Sequence, residues 1–296
     1  MKVLVTGASG FIGRALGRYL VGAGHEVRAL VRRANEVGIP AAAERVIGDL
    51  LDPPSLDRAA EGMAGVVHLA CATGVARESV ARAVNVDGTR WLLEAARRGG
   101  ARRFVFVSSV SARRKRMGPY GRTKREGEAL VAATALEWVI LRPSFVYGPG
   151  EDGLFARLAH SLRSLPVFPV VGDGRIELDP LDVTDLCQVI ERCLTREGSV
   201  RQTYDVLGPE RVTFEGLLAR IAAAYGLRPR FVHLPGSAAL PLARLLGWLM
   251  PRPPLSEDNV LGMISPAEVD GAPARRDFPI AWTSLDRGLA RARGSA

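Results

Sequence analysis

Cysteine is scarce in this chain. Its three cysteines, Cys71, Cys187 and Cys193, show no metal-ligand or redox spacing. That excludes a disulfide framework, a zinc site and a redox pair, and predicts reduced thiols in the core. Aromatic residues make up only 6% of the 296 positions. None interleave with the basic residues in a stripe, and no nucleic-acid-binding module is present, so a nucleic-acid partner is not expected. Long apolar runs are also missing. The most apolar stretch, 237–250, is interrupted by Pro241 and Arg244, and it falls short of the roughly 20 residues a membrane span needs. No secretory leader precedes the first strand pattern, which starts at residue 2, so the expected location is the cytoplasm, with peripheral membrane contact left open. There is no internal repeat and no low-complexity tract. The net charge of +9 is carried almost wholly by arginine. It is compatible with an anionic small molecule, with acidic lipid, or simply with a solvated surface.

What is present begins at the first residue. Val3, Leu4 and Val5 form a short apolar run that leads into Thr6-Gly7-Ala8-Ser9-Gly10-Phe11-Ile12-Gly13, after which Ile12, Leu16, Tyr19 and Leu20 recur with helical period. The pattern reads strand, glycine turn, helix. Gly7 supplies the positive φ of a tight turn. Gly10 admits a phosphate close to the backbone, and Gly13 lets the helix approach the strand. The N–H groups and dipole at the helix start favour a pyrophosphate.

Further strands are expected at 26–31, 45–47, 65–70, 104–107 and 139–141. Helices are expected from Asp52 (as N-cap), over 79–98, and from Tyr120 through Leu130. Short apolar strands alternating with helices imply an α/β fold: a Rossmann-type doubly wound parallel sheet covered on both faces. After Gly150 the rhythm changes, with turn signals at Pro166, Pro169, 172–174 and Pro180. Helical patterns follow at 182–194, from Thr213 to about Gly226, and at 237–250, with strand-like runs at 204–206 and 230–234. The expected division is a dinucleotide-binding domain over 1–150, with 181–207 returning to it. A smaller, partly interleaved substrate lobe would take 151–180 and 208–296, its apolar 237–250 helix serving as core, pocket lining or membrane contact.

The second strand ends Val31-Arg32-Arg33, with no acid at its end; Glu26 lies at its start. A carboxylate there would hold a ribose diol and repel a 2′-phosphate, whereas a guanidinium grips the phosphate. Arg32 and Arg33 therefore favour NADP over NAD, unless they are merely solvated. Asp49, after the third strand, either accepts from an adenine amine or shapes its own turn. Tyr120 and Lys124 fall at i and i+4 on one helical face. A phenol is a poor base at neutral pH, and a nearby ammonium lowers its pKa. Ser108 and Ser109 close the preceding strand and can present a hydroxyl to the same substrate oxygen.

These features resemble the short-chain dehydrogenase/reductase superfamily, in its extended or atypical branch. The resemblance rests on the glycine turn, Gly48-Asp49-Leu50, His68-Leu69-Ala70, Asn85-Val86-Asp87-Gly88-Thr89, Val107-Ser108-Ser109, the Tyr120–Lys124 pair, and 142–150. It implies that Tyr120 is the acid/base, that Lys124 binds the nicotinamide ribose and tunes the phenol, and that Ser109 orients the substrate oxygen, with Ser108 or Ser111 in reserve. It places Gly7, Ser9, Gly10, Phe11, Ile12, Gly13, Arg32, Arg33, Asp49, Leu50, Ala70, Lys124, Pro143, Ser144 and Val146 around the dinucleotide. Asn85 either supports the site or is structural.

Nucleotide-sugar dehydratases of the branch carry acids just after the catalytic hydroxyl, where this chain has Val110 and Ser111. Sugar-nucleotide enzymes tend to carry an asparagine where it has Phe145 and Val146. Segments 181–185 and 254–260 are instead similar to an atypical subgroup that includes the NADPH-binding accessory subunit of respiratory complex I. The expected function is hydride transfer between nicotinamide and a carbonyl or secondary alcohol. The alternatives are a nucleotide-sugar epimerase and a non-catalytic NADPH-binding structural or sensor subunit. The loop Arg113-Arg114-Lys115-Arg116 lies where the substrate mouth is expected and would attract an anionic substrate, unless it is a solvated loop. Oligomeric state is left open.

Overall fold

The computed structural model describes residues 1–74, 77–150, 154–165, 167–251, 253 and 255–294. Pro166 and Pro254, both singled out above, lie outside the described residues. Seven parallel strands form one sheet. In chain order they are Lys2–Thr6, Glu26–Val31, Glu44–Ile47, Gly65–His68, Arg103–Val107, Glu137–Pro143 and Gln202–Val206. Across the sheet, the first strand lies between the second and the fourth. The third forms one edge, and the fifth, sixth and seventh follow in turn to the other. The chain therefore reverses direction between its first and fourth strands, where Thr6 stands in register with His68. In a doubly wound sheet this switch point, at the carboxyl ends of the strands, is where a crevice opens.

The apolar strands are buried because both faces are covered. Val3 and Val5 point into one core, and Leu4 between them points into the other, as the two-residue period of a strand requires. Helices Phe11–Gly22 and Val183–Thr195 close the first face through Leu16, Leu20, Leu186 and Ile190. Helices Pro53–Ala60, Gly88–Arg98 and Pro119–Ala132 close the second through Leu56, Leu92 and Val131. The remaining chain builds a smaller lobe. Helices Leu154–Ser164, Phe214–Ala224 and Leu285–Gly294 pack around Phe155, Leu217, Ile221 and the stacked Tyr147. Strand Val167–Val171 pairs in parallel with Arg230–Leu234.

Five local expectations need correction. Asp52 stands at the N-cap of its helix but its side chain makes no capping bond. The 79–98 pattern is one helix only in outline, because Ala83–Asp87 runs as a π-helical turn between Glu78–Arg82 and Gly88–Arg98. The fourth strand stops at His68 rather than Ala70, because the Ala70 amide donates to the Thr6 hydroxyl rather than to a ladder carbonyl. Cys187 and Cys193 are buried free thiols, and burial pushes Cys187 up to about 12, but Cys71 is only half-buried. Finally, helix Gly236–Leu249 buries only Ala239, Leu240 and Ala243. Its other face leaves Leu242, Leu245, Leu249 and Trp248 exposed, Trp248 at 81%. Apolar composition alone does not say how many sides of a helix are covered.

Candidate active site

The glycine turn is a cradle shaped by the absence of side chains. Gly7 adopts φ +69°, and a Cβ there would lie 2.7 Å from the Ala70 amide nitrogen. A Cβ on Gly13 would meet the Gly7 carbonyl oxygen at 2.1 Å, so helix and strand approach as closely as backbone allows. Gly10 is the N-cap, with no side-chain cap and no acid in the first turn. The first-turn amides of Phe11, Ile12 and Gly13 thus face the crevice without intrahelical acceptors, as at any helix start. Such a set of amides with a helix dipole behind them fits a pyrophosphate.

At the end of the second strand, Arg32 and Arg33 are both exposed. The Arg32 amide donates to the Glu36 carboxylate at 3.1 Å. Glu36 is an acid a few residues past the strand, and the chain folds it back into this corner. The Asp49 carboxylate accepts from the Leu51 amide at 2.9 Å, which is the turn-shaping role. Leu50 is buried beneath it. Around Pro143, Ser144 is committed to structure. Its amide donates to Val206 and its hydroxyl to the Asp179 carbonyl. Val146 pairs with Leu181.

Ser109, Tyr120 and Lys124 converge at the carboxyl end of the fifth strand. Ser109 lies close enough to the Tyr120 phenol to lower its pKa, and its Oγ accepts from the Ser111 amide at 3.1 Å. Burial raises the phenol pKa above the usual tyrosine range, aided by Cys71, while Ser109 and Arg114 pull it down. Lys124 is 2% exposed, and its Nζ donates to the Val107 carbonyl at 2.8 Å and lies 4.8 Å from the centre of the Phe106 ring. Burial lowers its pKa. Arg114, from the loop after Ser109, also pulls the phenol down, and spacing along the helix did not disclose it.

Neighbouring hydroxyls and amides are accounted for. Ser108 Oγ donates to Glu128 at 2.5 Å, and Glu128 is gripped by Arg142 through two bonds of 2.9 and 2.6 Å. That removes Ser108 from the open side of the site. Lys124 and Glu128 are themselves four apart, so the spacing that marks Tyr120 and Lys124 also marked Glu128. Asn85 bonds both backbone groups of Ala72 and the Thr123 hydroxyl, tying the loop after the fourth strand to the Tyr120 helix. His68, between Thr6 and Thr89, has its pKa lowered to about 3, first by burial and then by Lys124, so it is neutral.

One residue from the small lobe reaches the site. Asp258 accepts from the Tyr120 amide at 3.0 Å and the Gly121 amide at 3.4 Å. It caps the helix that carries Tyr120 from a distance of 138 positions. A Cβ on Gly118 would lie 2.6 Å from its carboxylate, so a side chain at the N-cap would push Asp258 from its present place. No local pattern signals a cap supplied from so far away. Asp258→Ala leaves two amides unsatisfied, and is expected to lower unfolding free energy by about 1–2 kcal/mol in urea titrations, with Asp258→Asn losing less.

A cleft of about 740 Å³ is lined by Arg175, Asp179, Arg211, Met263, Ile264 and 266–269 among others. Its wall meets the loop after Ser109 through a backbone bridge between Arg114 and Ala267. Among the described residues no cluster of side chains could hold a metal ion, and no helix is long and apolar enough to cross a membrane.

The chain is similar to known proteins in sequence and in fold. The model of the NAD dependent epimerase/dehydratase family matches residues 3–206. The chain is 35% identical to a ceramide reductase of Caulobacter vibrioides, over 82% of its own length and 77% of the relative's. It is 30% identical to a 2-alkyl-3-oxoalkanoate reductase of Stenotrophomonas maltophilia, over 100% and 99% of the two lengths. Its backbone follows that of a UDP-glucose 4-epimerase of Thermus thermophilus solved with NAD, with a TM-score of 0.79 at 24% identity and 100% coverage of both chains.

Proposed function

The chain belongs to the NAD dependent epimerase/dehydratase family, and from that premise we propose that it is an NADP-dependent reductase acting on a ketone. The observation that carries this reading is the half-buried Tyr120 phenol beside Ser109 at the carboxyl end of the fifth strand. A phenol whose pKa is raised is protonated at neutral pH, and a protonated acid is what carbonyl reduction needs. Both of the relatives compared in sequence are reductases by name.

The division of labour we propose gives 1–150 with 181–207 to the dinucleotide and 151–180 with 208–296 to the substrate. The cradle fits a dinucleotide: side chains are absent where a pyrophosphate must approach, and helix amides face it. When bound, the nicotinamide supplies the hydride. Amides of 11–13 would hold the pyrophosphate, with Gly10 leaving room for it; Arg32 and Arg33 would hold the 2′-phosphate; Asp49, Leu50 and Ala70 would line the adenine side; Pro143, Ser144 and Val146 would line the nicotinamide side. Ser109 hydrogen-bonds the substrate carbonyl oxygen. Tyr120 Oη gives its proton to that oxygen as the alkoxide charge develops, and Lys124 stabilises the phenolate left behind and binds ribose hydroxyls.

The test is transfer of deuterium from 4-deuterated NADPH to the carbinol carbon of a ketone substrate. Retention of a tightly bound nucleotide, with epimerisation of a sugar and no net oxidation, would instead identify an epimerase. Cofactor choice has its own measurement. NADP is expected to raise the melting temperature more than NAD at equal concentration, since a ligand stabilises only the state it binds. Arg32→Ala with Arg33→Ala should weaken NADP binding by roughly tenfold or more. An equal or larger shift with NAD sinks the preference, and would point to Glu36 turning from the Arg32 amide to a ribose diol.

A further inference from the structure

We propose that the helix Gly236–Leu249 is a membrane-docking element, whose uncovered side lies in the headgroup region of an anionic lipid bilayer. The helix is apolar nearly all round, which is the composition of an element buried on every side. Yet only one side is covered. Ala239, Leu240 and Ala243 pack with Val260 and Leu261 of helix Glu257–Ile264 in a small core. The opposite side carries Leu242, Leu245, Trp248 and Leu249, which are 45%, 53%, 81% and 59% exposed. Positions 242, 245 and 249 follow the i, i+3, i+7 spacing of one helical face, and Trp248 stands beside them. Apolar side chains exposed singly are ordinary on a protein surface, whereas a contiguous stripe marks a contact surface.

Charge selects the occupant. No Asp or Glu occurs between Glu215 and Glu257, while five arginines do. The one charge on the helix, Arg244, donates to Glu257 at 2.8 Å, which ties the edge of the stripe to the neighbouring helix. Ahead of the helix, Arg228 and Arg230 are exposed, and among the described residues no carboxylate pairs with either. The strand that starts at Arg230 and leads into the helix also exposes Val232, opposite the exposed Pro169. An apolar face that includes tryptophan, flanked by arginine and free of acid, matches the boundary of an anionic leaflet. The indole settles at headgroup depth, the leucines reach the first acyl carbons, and guanidinium groups lie among lipid phosphates. A second copy of this chain is a poorer match, because it would set a surface of the same sign, and a net charge of +9, against this one.

The helix lies along such a surface and does not cross it. Its 14 residues span about 21 Å, against roughly 30 Å of bilayer hydrocarbon. Helix Glu257–Ile264, on which it packs, carries Asp258, whose carboxylate accepts from the Tyr120 amide at 3.0 Å. Docking therefore holds the bilayer one helix away from the helix that bears Tyr120. None of this depends on the reaction proposed above.

The test is cosedimentation of the full-length protein with vesicles, one set of phosphatidylcholine alone and one with about a quarter phosphatidylglycerol. Wild type should bind the anionic vesicles at least about tenfold more tightly, and half-molar salt should remove most of that difference. Leu245→Gln with Trp248→Gln should weaken binding to anionic vesicles by about tenfold or more, since two large apolar side chains no longer leave water. Both positions are exposed, so the melting temperature should hold. Val80→Gln, at an apolar position 46% exposed on the other lobe, should bind as wild type does. A second readout avoids disruptive substitutions. Bromine-labelled acyl chains should quench the fluorescence of wild type much more than that of Trp248→Phe, because the other three tryptophans are half-buried. Binding to neither vesicle, equal binding to both, undiminished binding in the double variant, or equal quenching in Trp248→Phe overturns the proposal. Self-association in the ultracentrifuge that the double variant abolishes, with no vesicle binding, also overturns it and assigns the face to a second copy.

Discussion

Replacing Tyr120 by phenylalanine is expected to lower kcat for ketone reduction by about 10²–10⁴-fold, the usual worth of a positioned acid or base. The substitution removes one oxygen. The aromatic ring remains, and the bonds from Asp258 go to the backbone amides of residues 120 and 121, so the helix start keeps its cap. What is lost is the phenol beside Ser109 that can hand a proton to an alkoxide, while Lys124 Nζ is held by the Val107 carbonyl. NADP affinity, read by calorimetry, should change by less than about twofold, because the loss lies in the proton-transfer step and not in dinucleotide binding. Turnover that survives the change sinks the mechanism.

The second large effect is expected at Gly13. Its helical conformation suits any residue, so the demand is one of space. The Cβ of Gly13→Ala would lie 2.1 Å from the Gly7 oxygen and 2.7 Å from the Ala8 Cα, both backbone atoms that cannot rotate away. Relief requires the helix Phe11–Gly22 to move off the first strand, taking the first-turn amides with it and opening the core around Leu16 and Leu20. Unfolding free energy in urea should fall by about 1–3 kcal/mol, as for other overpacked sites. NADP affinity should fall by at least about tenfold as the amides leave the pyrophosphate position. Gly10→Ala is the contrast. Its Cβ would approach protein no closer than 3.3 Å, so stability should hold while affinity drops, because the added methyl fills the space a phosphate enters. Full stability in Gly13→Ala would show that the turn has slack that the distances deny.

Much of this was legible in order along the chain. The seven strands occur where short apolar runs predicted them, and Gly7, Gly10 and Gly13 occupy the backbone positions their spacing implied. Local signals worked where the cause is local: a tight turn needs positive φ within a few residues, and a strand buried on both faces needs every side chain apolar. The π-helical turn at Ala83–Asp87 was not legible, since a helix with one extra residue in a turn keeps nearly the same apolar period. Nor was the half-exposed helix Gly236–Leu249, because its apolar residues surround it and only neighbours decide which face is covered.

By itself, then, the amino-acid sequence determined the doubly wound sheet, the tight glycine turn and the one-face spacing of Tyr120 and Lys124, because each depends on patterns within a strand, turn or helix. Only the tertiary structure decided which of two serines faces the site, which of four loop cations turns inward, and which distant carboxylate caps the Tyr120 helix. Ser108 is withdrawn by Glu128, Arg113 and Lys115 by their contacts with Glu268, and Asp258 arrives from the other lobe. Those choices are made by hydrogen bonds between residues 20 to 155 positions apart. No periodicity within an element records them, since they form only when elements distant in the chain pack together.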